Sequence, residues 1–250
     1  MSGNQALPQS GTGAAFKLRA TTEKDLGAIT VIHIEGLIED PQDMYCLPGR
    51  DEHVGEHWKW AREEYWGYVQ QPDRYYVFVL EEGASAGVGA GAGAGTAANP
   101  TIVGFAVWDV AVLTNNAGQN ARLVVRGDAN TNRCEAVEDT AATLFSVHFA
   151  QWSESQAQLV ALVVLPAFRP RGGGTKLANC GINFARENGW PATQLCWCAG
   201  GSRSGGGSRV FFEHLGFVTV ATEVVRVQGE EEWLVCSAMV RYPPAQGEMP

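Results

Sequence analysis

The chain of 250 residues carries 27 acidic and 18 basic side chains, and its formal net charge is -9. No run of lysine or arginine stands out, so we expect no nucleic acid partner. An apolar fraction of 45% is ordinary for a globular protein, and no apolar run approaches the roughly 20 residues that span a bilayer. We therefore expect a cytoplasmic protein that has no membrane partner.

The ends of the chain and one internal segment have biased compositions. Residues 1–15 lack the basic start and apolar centre of a secretory signal, so they are predicted to form a disordered N-terminal tail. Residues 83–99 are mostly alanine and glycine, too small to pack, which indicates a flexible loop between two strands. We expect one domain over residues 16–242, followed by a C-terminal tail over 243–250.

Cysteine spacing gives no sign of a zinc site or a disulfide framework. The six cysteines contain no C-x-x-C pair, and we expect them to be reduced. His53 and His57 are four residues apart, as metal ligands on a helix often are, but no third ligand is obvious. Surface positions are the preferred interpretation for both histidines, and no metal is expected.

The first half of the chain predicts strands and helices in alternation. Residues 16–19 alternate like a strand, and Thr21 to Asp25 then supply cap residues for a helix. A second, aromatic helix is predicted over residues 53–69. Residues 75–80 and 102–110 are rich in β-branched and aromatic side chains, which indicates a hairpin on either side of the alanine-glycine segment.

The second half is predicted to complete a mixed sheet. Residues 159–165 form an unbroken apolar run, typical of a central strand that is covered on both faces. The remaining predicted elements are a loop over 115–132, a helix over 135–152, a helix from Thr175 to Asn188-Gly189, a strand over 193–198, a loop over 200–208, a short helix over 209–215, and strands over 218–227 and 233–241. The fold class is therefore α/β, with a central mixed sheet of about seven strands flanked by helices.

The turn between the apolar strand and the following helix predicts an anion site. Gly172, Gly173 and Gly174 allow close approach to the backbone N-H groups that a helix start leaves unpaired. Arg169, Arg171 and Lys176 add positive charge. Neither a Walker phosphate loop nor a dinucleotide fingerprint is present. The alternative is a plain glycine turn, which does not explain why three basic residues occur in the same segment.

The same segment resembles a known motif. Residues 162–177, LVVLPAFRPRGGGTKL, are similar to the acetyl-CoA motif of the GCN5-related N-acetyltransferases (GNAT), in which an Arg/Gln-x-x-Gly-x-Gly/Ala turn follows a strand. FKLRAT at 16–21 resembles that family's first strand, and EHLGF at 213–217 resembles its closing Y-E-K-L-G-F. The helix from Glu135 and the segment ARENGWP at 185–191 are most similar to the fungal small-molecule branch.

The resemblance implies acetyl-CoA-dependent transfer to the amine of a small molecule, by a monomer or homodimer. The thioester would lie in a splay between the strands at 159–165 and 193–198, where backbone N-H groups polarise its carbonyl. The implied contacts with coenzyme A are made by Val164, Leu165, Arg169, Arg171, Gly172, Gly173, Gly174, Thr175 and Lys176.

The acid and the base of the reaction are not evident in the sequence. Phe212 stands where the family has the tyrosine that protonates the leaving thiolate. Candidate bases are Asp109, Glu154 and His148, although His148 fits a packed core position better. His33 and Glu35 are also candidates and are expected to bind substrate, together with Trp58, Trp66 and Phe212. The tryptophans fit equally well a helix packed on the sheet.

Three functional hypotheses remain open from the residues. The first is an N-acetyltransferase acting on a small-molecule amine. The second is an enzyme of the same scaffold with a different chemistry, which the replacement of the tyrosine by Phe212 permits. The third is a non-catalytic module that binds coenzyme A. The intact cationic turn disfavours a site that has lost all function.

Overall fold

A computed structural model describes residues 16–83, 101–110, 126–152, 155–200 and 207–244. The predicted tail over 1–15, nearly all of the alanine-glycine segment and the last six residues lie outside these ranges. The described part folds into a seven-stranded mixed sheet in the order β1-β2-β3-β4-β5-β7-β6. The strands are β1 (Phe16–Ala20), β2 (Tyr75–Glu82), β3 (Thr101–Asp109), β4 (Ala157–Val164), β5 (Ala192–Ala199), β6 (Val218–Arg226) and β7 (Trp233–Arg241).

Helices cover both faces of this sheet. They are α1 (Leu26–Gly36), α2 (Pro41–Cys46), α3 (Val54–Val69), α4 (Thr131–Leu144), α5 (Gly173–Glu187) and α6 (Gly207–His214). On one face, α1 and α3 bury Ile29 and Tyr65 against Val79 and Phe105. On the other face, α5 buries Leu177 among the side chains of the central strands. None of the helices in the described ranges has the length and hydropathy needed to cross a membrane.

The central parallel pair of strands separates along its length. Strands β4 and β5 pair only where Ala157–Leu159 lies beside Ala192–Gln194, although β4 continues to Val164 and β5 to Ala199. Every other neighbouring pair is antiparallel. Val160 is 41% exposed at the point of separation. The expectation that this strand is covered on both faces does not hold at Val160, which has no partner among the described residues where the β3–β4 register shifts between Val107 and Trp108.

Two further elements differ from the sequence predictions. Helix α2 was not predicted; it begins after Asp40, whose carboxylate accepts the backbone N-H groups of Gln42 and Asp43. Helix α4 starts at Thr131, inside the predicted loop, because the side chain of Asn130 accepts the N-H of Arg133. The predicted helix over 135–152 continues past Leu144 only as a π-helical turn at Phe145–Phe149 and a 3-10 turn at Ala150–Trp152.

Candidate active site

A cleft of about 730 Å³ opens where β4 and β5 separate. It extends from the turn ahead of α5 to the connection between α1 and α2. Its wall includes backbone or side-chain atoms of all these segments: Gly36, Leu37, Glu39, Asp40, Pro41, Leu162, Val163, Val164, Arg169, Pro170, Gly172, Gly174, Thr175, Trp197, Gly207, Ser208, Phe211 and Phe212. The wall of this cleft thus includes both a helix N-terminus and carboxylates.

The N-terminus of α5 supplies the positive end of this cleft. Gly172 has φ +79°, a left-handed conformation that favours glycine, and it turns the chain into the helix. A Cβ at Gly173 would lie 2.8 Å from Cδ2 of Leu80, so the close approach of the helix to the sheet also requires glycine. The first N-H groups of a helix have no partner four residues earlier, and the N-cap glycine has no side chain to cap them. These amides can therefore bind an anion.

The three cations of the turn are engaged by other groups of the chain. Arg169 donates to the carbonyl of Val164 at 3.0 Å and to that of Gly36 at 2.6 Å. Arg171 pairs with Glu82 at 2.6 Å. Lys176 donates to the carbonyl of Phe16. These contacts hold the turn to α1, β1, β2 and β4, and the positive charge that the three side chains would offer to a phosphate stays a prediction.

The carboxylates of the cleft wall were not identified from the sequence. Glu39 is exposed, whereas Asp40 is partly buried, and burial raises the pKa of Asp40 above its ordinary value. Its position is fixed because its Oδ1 caps α2, with Gln42 N at 2.9 Å and Asp43 N at 3.1 Å. The Asp40-Pro41 pair was the available signal, since aspartate at the N-cap followed by proline marks a helix start.

The candidate bases from the sequence do not lie at the cleft. Asp109 is at the opposite end of β3 from the turn, beside Gln158 at the start of β4, and it pairs with Arg74 at 2.8 Å. His148 is half-buried in the π-helical turn after α4 and does not line the cleft. Glu154 lies outside the described residues. The structure therefore does not support Asp109 or His148 as the base.

The residues expected to bind substrate are dispersed. Phe212 is buried and lines the cleft. His33 is buried and does not line the cleft, and its Nδ1 lies 2.8 Å from the hydroxyl of Tyr65. Glu35, Trp58 and Trp66 are exposed and do not line the cleft. The aromatic wall predicted for the acceptor is therefore not formed by these two tryptophans.

The two histidines expected on the surface have different environments. His53 is exposed, as expected, at the N-cap of α3. His57 is only 4% exposed, and burial lowers its pKa. Its ring lies 5.5 Å from that of His33, between centroids. The surface interpretation is therefore wrong for His57, because α3 turns this side chain towards α1 and α2.

The fold is the α/β fold of the GNAT acetyltransferases, with a mixed sheet of seven strands flanked by helices. Three solved structures illustrate the similarity. The histone acetyltransferase HPA2 and related acetyltransferase of Corynebacterium glutamicum is 18% identical, with a TM-score of 0.55 over 94% of this chain and 98% of that chain. NAA60 of Arabidopsis thaliana, in complex with a bisubstrate analogue, is 10% identical, with a TM-score of 0.51 over 92% of this chain and 99% of that chain.

The third structure is an N-acetyltransferase of Staphylococcus aureus Mu50, which is 14% identical with a TM-score of 0.50 over 91% of this chain and 98% of that chain. No protein-family model and no curated protein matches the sequence. At these identities the comparisons establish the fold. The function is argued below from the cleft.

Proposed function

We propose that the protein is an acetyl-CoA-dependent N-acetyltransferase whose acceptor is the amine of a small molecule, as the resemblance to the fungal branch implies. One observation carries this proposal: the cleft at the β4–β5 separation joins an uncapped helix N-terminus to a partly buried carboxylate. An acyl transfer from a nucleotide thioester to an amine needs both features, an anion site for the diphosphate and a base for the amine.

The residues of the turn and of β4 fit coenzyme A. The amides of Gly173, Gly174 and Thr175 would bind the diphosphate, because they are the first amides of α5. Beyond Leu159, β4 and β5 do not pair in the described residues, so the backbone around Val164 would pair with the pantetheine amides. The Val164 carbonyl accepts from Arg169 and the Leu165 N-H donates to the Val103 carbonyl, so these two bonds hold the end of β4 in place. Arg169, Arg171, Gly172 and Lys176 would hold the turn in place through the contacts given above.

Asp40 is the base in this proposal. An alkyl amine is largely protonated near neutral pH and attacks the thioester only as the free base. Asp40 lines the cleft, and burial raises its pKa, which makes it a stronger base than an ordinary aspartate. Its negative charge would also attract the ammonium form. Backbone N-H groups of β4 would stabilise the oxyanion that develops on the thioester carbonyl.

Phe212 supports a second candidate. Its ring lines the cleft but has no proton to give to the leaving thiolate, so water must supply that proton during acetyl transfer. A scaffold that binds coenzyme A and runs a different reaction, or none, is compatible with this position. Turnover with amines distinguishes the two candidates, because only the first requires thiol release that depends on an amine.

Titration calorimetry with acetyl-CoA on a Thr175→Glu variant tests the binding site. Thr175 is exposed in the first turn of α5. Because the positive end of the helix dipole stabilises a carboxylate at this position, the variant should fold normally. Next to a diphosphate the same charge costs on the order of 2 kcal/mol, an affinity loss of about 30-fold. Asn183→Glu adds the same charge to an exposed position on the same helix, away from the cleft, and is the matched control.

We expect the wild type and Asn183→Glu to bind acetyl-CoA with about micromolar affinity, and Thr175→Glu to bind it much more weakly. A screen of amines for thiol release then follows. A wild type that does not bind acetyl-CoA contradicts the proposal. Binding without turnover of any amine favours the second candidate.

A further inference from the structure

We propose that His33, Asp43 and His57 form a binding site for a divalent transition metal ion, with Zn²⁺ as the best fit. The three residues come from α1, α2 and α3, which converge at this point. One potential ligand atom from each lies within 4.8 Å of the others. The site is distinct from the coenzyme A cleft, because none of the three residues lines that cleft, and it does not depend on the proposed function.

His33 and Asp43 each have a buried polar atom without a hydrogen-bond partner among the described residues, and these two atoms lie close to each other. Nε2 of His33 and Oδ2 of Asp43 are 3.8 Å apart, too far for a hydrogen bond. Neither atom has a hydrogen-bond partner among the described residues, although both are inaccessible to solvent. An unpaired buried polar group costs about 1–3 kcal/mol, and a cation between these two atoms would satisfy both.

The distances fit an ion of this size. Zn²⁺ binds nitrogen and oxygen at about 2.0–2.2 Å, which places tetrahedral ligand atoms roughly 3.4 Å apart. The present separation of 3.8 Å between His33 and Asp43 is therefore within a small side-chain movement of the bound geometry. Two imidazoles and one carboxylate are ligands that zinc and neighbouring transition metals accept, whereas Mg²⁺ and Ca²⁺ prefer oxygen alone.

Groups behind the ligands orient both rings. The hydroxyl of Tyr65 lies 2.8 Å from Nδ1 of His33, so a proton on Nδ1 leaves Nε2 free to bind metal. Nδ1 of His57 lies 3.5 Å from Oδ2 of the buried Asp128, the carboxylate–histidine pairing that often supports a metal ligand.

Arg126 is the group that opposes metal binding. Its Nη2 donates to Nδ1 of His57 at 3.0 Å, and this arrangement puts the ring proton on Nε2. Binding through Nε2 requires that proton to move to Nδ1, which then donates to Oδ2 of Asp128 while Arg126 releases the ring and keeps its own bond to Oδ1 of Asp128 at 2.7 Å. Asp40 and Glu64 add negative charge around Asp43, whereas Arg50 and Arg126 add positive charge.

The test is metal titration of the full chain after chelation and removal of bound ions, with Zn²⁺ followed by calorimetry and Co²⁺ by absorbance. We expect one ion per chain. Its dissociation constant should be micromolar or lower, which corresponds to a binding free energy of about 8 kcal/mol or more. Asp43→Asn and His57→Gln should each weaken binding at least about 100-fold, because outer-shell changes alone cost 10–100-fold. His53→Gln is the matched control on the same helix, and its affinity should equal that of the wild type.

The cobalt spectrum separates this site from the cysteines. Ligands of nitrogen and oxygen give visible d–d bands without the thiolate charge-transfer band that cysteine ligands produce. A wild type that binds neither ion, a spectrum with thiolate bands, or ligand variants that bind as tightly as the wild type would overturn the proposal. If one ligand variant does not fold, as judged by circular dichroism, the other variant and the wild-type spectrum decide the question.

Discussion

Replacing Asp40 by asparagine separates its chemical role from its structural role. The Oδ1 of Asp40 caps α2 through two backbone N-H groups, at 2.9 and 3.1 Å. Asparagine presents the same oxygen and is an equally good N-cap, so we expect the free energy of unfolding to change by less than about 0.5 kcal/mol. The variant loses the negative charge and the ability to accept the proton of the amine.

The expected loss of activity follows from the role of a general base. Such a group contributes about 10²–10⁴-fold to the rate, which corresponds to about 2.7–5.4 kcal/mol in the barrier. The affinity for acetyl-CoA should not change. The assay is thiol release from acetyl-CoA with the best amine of the screen, measured as kcat/KM across pH.

The pH profile tests the same assignment. A base must be deprotonated to act, so the wild-type kcat/KM should fall as pH drops through the pKa of Asp40, which burial raises above its ordinary value. Asp40→Asn should lack this acidic limb. Glu39→Gln removes the same charge from an exposed neighbour that also lines the cleft, and should retain activity within about threefold. An Asp40→Asn variant with wild-type activity and the same limb would refute the assignment.

Two further predictions concern a partly buried ion pair and the missing hydroxyl. Arg19 donates to both carboxylate oxygens of Asp25, at 2.7 and 2.8 Å, and holds the pKa of Asp25 down to about 2. This stabilisation of about 2 kcal/mol is present above the ordinary pKa of aspartate and is lost as pH falls through about 2. Urea unfolding should therefore show Asp25→Asn less stable by that amount at pH 7, and a difference that does not shrink in acid would contradict the pairing. Phe212→Tyr places a hydroxyl at the cleft wall and should raise kcat for acetyl transfer up to about tenfold, at an unchanged KM for acetyl-CoA. An unchanged kcat would mean that thiolate protonation does not limit the reaction.

Local rules explain why much of the fold could be predicted. The β-branched and aromatic content at 75–80 and 102–110 and the helical spacing at 53–69 each depend on residues a few positions apart, and the structure places β2, β3 and α3 there. The glycine turn could be predicted for the same reason, because only glycine readily adopts the φ of +79° found at Gly172. Helix α2 was missed because six residues show too little periodicity to be recognised.

The site depended on contacts between distant parts of the chain. The sequence determined that a glycine-lined turn leads from an apolar strand into a helix, because backbone conformation there is set by neighbouring residues. Only the tertiary structure decided that Arg169, 133 positions from Gly36, donates to its carbonyl instead of serving as a free charge. It also decided that Asp109 lies far from the cleft while Asp40 lines it, and that His33, Asp43 and His57 meet. Strand register and helix packing create these proximities, and neither is encoded in the spacing of the residues along the chain.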